Sequence, residues 1–117
     1  MKQVNTRGWT YIINEEAIEN KQAIKEECEN TLHGTVGKYL FFSCNKQELI
    51  NLCEVILKEF NLSHGKVPQD YTPNNYVLCV YDVKPRYSKE LTKFATDTIK
   101  YRYWKADAKT MQGVYST

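Results

Sequence analysis

The stretch GKYLFFSCNKQELINLCEVILKEFN, residues 37–61, decides the fold, because its hydrophobic period changes part-way along. The first eight residues, GKYLFFSC, are an aromatic and apolar run opened by a glycine, the pattern of a largely buried strand. The remainder sets Leu49, Leu52, Cys53, Ile56, Leu57 and Phe60 at helical spacing. Asn45 stands where its side chain caps the first turn, with Glu48 three residues later. A strand feeding directly into an amphipathic helix implies a layer of helix on sheet.

Working outward, SHGKVPQ reads as a short strand, DYTPNN as a turn-rich loop, and YVLCVYD as a continuous apolar strand. KPRY breaks the chain, and Ser88 then caps a predicted helix through KELTKFATDT with Leu91, Phe94 and Ala95 as its buried stripe. IKYRYWK follows as a strand, and a turn over residues 107–110 leads to a last short strand, GVYS. On the N-terminal side, GWTYII reads as a first strand. NEEAIENKQAIKEECENT reads as a solvated helix whose thin apolar stripe is Ala17, Ile18, Ile24 and Cys28. The predicted order is β, α, β, α, β, β, α, β, β. No repeat, linker or charge block divides it, so residues 1–117 are read as a single domain. The expected class is α+β: a curved, mainly antiparallel sheet with two or three helices packed on one face and the other face free.

Composition is that of an ordinary globular chain, with 42% hydrophobic and 26% charged residues. A formal charge of +2 is too small for electrostatic binding to duplex nucleic acid, which requires many phosphates to be neutralised together. Three Arg against thirteen Lys, with many Asn, Ile and Tyr, is the usage of an AT-rich genome and points to a low-GC bacterium or its phage. Cys28, Cys44, Cys53 and Cys79 show no CxxC spacing and lie within or beside apolar runs, so they are read as buried free thiols rather than a disulfide frame or a metal site. The N-terminus lacks the apolar core of a leader, and no run approaches the length of a membrane span, so a cytoplasmic protein with no membrane partner is expected. No cofactor or metal site is expected, and the oligomeric state is open.

The pleat of IKYRYWK supplies the first candidate site. Strict alternation puts Ile99, Tyr101 and Tyr103 on one face, suited to packing under a helix, and Lys100, Arg102 and Trp104 on the other. There the indole can stack on a flat ring, and the guanidinium can hold a phosphate by two hydrogen bonds. Lys38, Lys66 and Lys105 are further cations able to converge on that face, and Trp9 and Tyr115 are possible second stacking surfaces. Each of these side chains also has an ordinary structural reading, as a solvated lysine or a core aromatic. For enzymatic chemistry the sequence offers little. His33 and His64 lie in loop-like contexts; His64, two residues from Lys66, makes a Lys/His base and acid pair imaginable. No HExxH, GxSxG, P-loop or GxGxxG pattern is present.

VGKYLFFS, SHGKVPQ, YVLCVYD and YWKADAKTMQGVYS, in that order, resemble the basophilic leukemia expressed protein family. The resemblance spans about residues 34–117. It is most specific at Lys105, Asp107, Thr110, Gly113 and Tyr115, with support from Gly37, Lys38, Tyr39, Lys66 and Val67. Relatives tend to have Ser or Thr after that valine, where this chain has Pro68 and Gln69. The resemblance implies a fold like that of the cap-binding translation initiation factor, and some members carry a phosphothreonine lyase label. It also implies a concave face or rim suited to a phosphorylated nucleotide, with two Trp side chains sandwiching a base; this chain has just two, Trp9 and Trp104. The leading expectation is a non-catalytic binding module for a nucleotide or other phosphorylated small molecule. Trp9 and Trp104 would stack, and Lys38, Lys66, Lys100, Arg102 and Lys105 would take the phosphates. In a phage, such a module would sequester a nucleotide signal of host defence. The alternatives are a phosphothreonine lyase with Lys66 as base and His64 as acid, and a protein-binding module acting through a sheet edge.

Overall fold

A computed structural model describes residues 1–30, 36–70 and 76–107. The chain is α+β. Among the described residues six strands, β1 (Lys2–Thr6), β2 (Trp9–Ile13), β3 (Gly37–Ser43), β4 (His64–Pro68), β5 (Tyr76–Asp82) and β6 (Lys100–Ala106), form one open sheet in the order β1-β2-β4-β5-β3-β6. Every pairing is antiparallel. The helices are α1 (Ile18–Cys28) and α2 (Lys46–Glu59).

The 37–61 stretch folds as its periodicity demands. The Asn45 side chain accepts a 3.0 Å hydrogen bond from the Glu48 amide, capping α2. Glu48 does not complete the box by reaching back to Asn45. Its carboxylate accepts from the Ser43 and Thr98 hydroxyls, and the Asn45 amide donates to Ser43 Oγ instead. At the other end Asn61 adopts φ +53° and the Leu62 amide donates to the Leu57 carbonyl, a six-to-one closure that turns the chain into β4. Between these caps Leu49, Leu52, Cys53, Ile56 and Leu57 are buried against Ile12, Tyr39, Phe41, Val67, Leu78 and Val80 of the sheet. Burying each such Leu or Ile is worth about 1.5–3 kcal/mol, so packing, more than propensity, holds α2 in place.

Several expectations are corrected. The polar segment KQVNT is β1, an exposed edge strand joined to β2 by a tight turn in which Gly8 supplies φ +83°. The helix expected after Ser88 is only a 3₁₀ turn, Glu90–Phe94. The reason lies in its threonines. Thr96 Oγ1 accepts from the amides of Thr98 and Ile99, and the Thr96 amide donates to the Ile99 carbonyl, a side-chain-supported bend that competes with the helix. Leu91 is buried as expected, whereas Ala95 is exposed.

Helix α1 buries Asn20 and Ile24, while Ile18 and Cys28 of the expected stripe are exposed and Ala17 is buried just ahead of the helix. Asn20 Oδ1 accepts from the Ser63 amide at 2.8 Å and its Nδ2 donates to Asp82 at 3.4 Å. These bonds fasten α1 across the end of the sheet, where β4 starts and β5 finishes. Asp82, fully buried, also accepts from the Tyr39 hydroxyl, the Val83 amide and Arg86, so its charge is met from several sides. All four cysteines are unpaired, and only Cys53 and Cys79 are buried. Among the described residues no helix is long and apolar enough to cross a membrane.

Candidate functional site

The registers settle which side chains share the face opposite α2. Across β2, β4, β5 and β3, cross-strand partners place Tyr11 opposite Lys66, Lys66 opposite Cys79, and Cys79 opposite Leu40. One step along the strands, Ile13 stands opposite His64, Tyr81 opposite Lys38, and Lys38 opposite Lys105. His64 and Tyr81 close the gap between these pairs by stacking, with ring centroids 4.6 Å apart and planes 15° from parallel. The face therefore carries a row of His64, Tyr81, Lys38 and Lys105 beside a row of Tyr11, Lys66 and Cys79.

Contacts tie the rows together. The Lys66 ammonium lies 4.0 Å from the Trp9 ring centroid and 5.8 Å from that of Tyr81, and the Lys38 ammonium also lies 5.8 Å from Tyr81. Tyr81 is thus a ring with two cations over it. Lys38 forms an ion pair of 2.9 Å with Asp107, both side chains largely covered, while the Asp107 amide donates to the Val36 carbonyl and fixes the backbone at that point. Of the seven residues expected to bind ligand, Trp9, Lys38, Lys66 and Lys105 are brought together here.

The other three are not. Between the Tyr39–Trp104 and Phe41–Tyr101 pairs, β6 carries two residues opposite the single Leu40 of β3, a β-bulge. Alternation before it leaves Lys100 on the open face, opposite Phe42, and exposed Arg102 lies over the Phe42 ring at 5.5 Å. After the bulge the parity is reversed. Trp104 turns to the helix side, where its ring meets Tyr39 edge-on at 5.0 Å and packs against the core. Trp9 and Trp104 therefore lie on opposite faces and do not sandwich a base. By the same reversal Tyr103, expected in the core with Ile99 and Tyr101, falls on the open face in line with Lys105. Lys100 and Arg102 form a separate patch: Phe42 is four residues from Lys38, roughly 13 Å along an extended strand. Tyr115 and His33 lie outside the described residues.

The cluster is shielded enough to alter its own chemistry. Burial pushes His64 down to about 4, with Lys21 and Lys66 adding to the effect, so the imidazole is neutral near pH 7; its Nδ1 is 2.8 Å from Ser63 Oγ. Burial also holds the Lys66 ammonium below its ordinary range, Lys38 working in the same direction and Asp107 against it. The Cys79 thiol is pushed up to about 11 by burial and the Tyr81 phenol is raised for the same reason, so both remain protonated.

Tyr81 is the member that sequence reasoning missed. It sits in an apolar run read only as a core strand. The usable signal was alternation within YVLCVYD, which sets Tyr81 with Cys79 and Val77, away from Leu78 and Val80.

No family model, curated protein or solved structure matches this chain. Among the described residues, no group of three or more His, Cys, Asp or Glu side chains is placed to hold a metal ion.

Proposed function

We propose that the open face of the sheet binds a nucleotide or other phosphorylated small molecule without transforming it. One observation carries this reading: Lys38, Lys66 and Lys105 occupy neighbouring positions on one face, two of them over Tyr81 and one of these over Trp9. Holding ammonium groups together on a half-shielded surface is unfavourable in the free protein and becomes favourable when an anion arrives. Phosphate is the anion such a set suits, with Lys acting as point charges rather than a fork. Trp9 and Tyr81 supply flat rings for the rest of the ligand. The resemblance to the basophilic leukemia expressed protein family leads to the same ligand class.

A thermal-shift panel of linear and cyclic nucleotides and phosphopeptides tests the reading. A ligand at 100 times its Kd should stabilise the fold by about 2.7 kcal/mol. Lys66→Ala should weaken a bound phosphate by about 1.5–3 kcal/mol, whereas Arg102→Ala, in the separate patch, should change little. A flat panel, or an Arg102 effect as large as that of Lys66, refutes the assignment.

A second reading, a lyase removing phosphate from phosphothreonine, is favoured by the lowered Lys66, since a general base must be able to exist unprotonated near neutral pH. His64, the acid in that scheme, carries no extra proton at pH 7 to give. Phosphothreonine peptides that release no phosphate and gain no dehydrated residue would remove this reading.

A further inference from the structure

Asp107 occupies a position that the binding reading leaves unexplained. Its carboxylate lies 2.9 Å from Lys38 Nζ, with the two side chains only 14% and 20% exposed. Its charge acts on His64, Lys66, Cys79 and Tyr81, which together line the two rows of the open face. By register Asp107 stands just past the Lys38–Lys105 pair, at the end of the row, and its carboxylate reaches back onto Lys38, beside the lysines that would draw a ligand phosphate. The backbone of Asp107 is held by its amide bond to the Val36 carbonyl, so freeing Lys38 needs only a rotation of the side chain.

We infer that Asp107 sets a charge threshold for the site: its carboxylate holds the place of the ligand phosphate, so that groups bearing more than one negative charge, a terminal phosphomonoester or a pyrophosphate, bind measurably while singly charged anions fall short. The inference rests on the phosphate-binding reading above. Its logic is an exchange. A carboxylate or a phosphodiester that displaces Asp107 replaces one negative charge by another and must still overcome the loss of a largely covered ion pair. A phosphomonoester, close to doubly charged at neutral pH, brings an additional charge to Lys66 and Lys105. In the absence of ligand the same carboxylate keeps the lysines from repelling one another fully.

The probes are a linear nucleoside monophosphate and the cyclic monophosphate of the same nucleoside, which share base and sugar and differ by one charge. Calorimetric titration at fixed salt, with adenosine and guanosine pairs, compares them on the wild-type chain and on Asp107→Asn. The wild type should prefer the linear ester by about tenfold or more, the scale of one additional charge contact under partial screening. Asp107→Asn should tighten both ligands by a similar factor, bringing the cyclic ester into the measurable range. Asp107→Ser, which removes the carboxylate with a smaller side chain, should act in the same direction. Equal wild-type affinities for the two esters, or a tightening seen in neither variant, overturn the charge threshold set by Asp107 and leave the phosphate site standing. No binding of either ester to any of the three proteins overturns the phosphate site as well.

Discussion

Neutral His64 makes the fold sensitive to acid in a calculable way. In the unfolded chain its imidazole titrates near 6.5, and in the folded chain at about 4. The folded state therefore binds fewer protons between these values. Stability is full above the unfolded value and falls as pH drops through 6.5 toward 4, with a total loss of about 3 kcal/mol at 1.36 kcal/mol per unit. Between pH 7 and pH 5 the loss from this group is about 2 kcal/mol, or roughly 8 °C in Tm for a domain of this size. Other groups titrate over the same range, so the informative quantity is a difference. His64→Gln keeps a polar side chain beside Ser63 and removes the titration, and its own loss between pH 7 and pH 5 should be smaller than the wild type's by about 2 kcal/mol. Chemical denaturation at the two pH values, wild type beside variant, measures it. Equal losses in the two proteins would show that His64 is not held neutral, and with that the shielding argued for the Lys66 side of the cluster would fail.

Two more outcomes follow from the bulge. Trp104→Ala should destabilise the fold by about 2–4 kcal/mol, through lost packing against Tyr39 and the core, and leave phosphate-ligand affinity unchanged. Trp9→Ala should do the reverse, weakening ligand with little effect on melting; an affinity loss in the Trp104 variant would contradict the assignment of faces. Gly37→Ala places a methyl group within 3.0 Å of the Lys105 carbonyl, the Ala106 Cα and the Trp104 ring. Two of these neighbours are backbone, so a loss of about 1–3 kcal/mol in denaturation is expected. Wild-type stability in that variant would argue against the β3–β6 register.

The parts of the fold that could be read from sequence share a physical property. In β3, β5 and α2 the hydrophobic pattern alone fixes the element, because Tyr39, Phe41, Leu78 and Val80 have to be buried and α2 has one face to bury them under. Strand β1 escaped because KQVNT is an exposed edge, with no face to impose alternation. Asn20 escaped because its burial is justified by distant partners, Ser63 and Asp82, that no local window contains. The sequence left Lys38, Lys66, Lys105 and Trp9 only able to converge on one surface, and it is the strand registers that give them a common face. The direction of Trp104 depends on a pairing with β3 that local alternation cannot see.

The bulge also bears on how readily this surface can be remodelled. A strand has only two directions for a side chain, so one surplus residue acts as a parity switch for everything after it. Deleting Arg102 or Tyr103 would remove the surplus residue and leave the Tyr39–Trp104 and Lys38–Lys105 pairs facing as they do, whereas the present sequence paired without the bulge would carry Trp104 to the side of Lys66 and Trp9 and send Lys105 into the packing under α2. Aromatic clamp and basic floor are thus mutually exclusive uses of the end of β6, and the bulge decides between them.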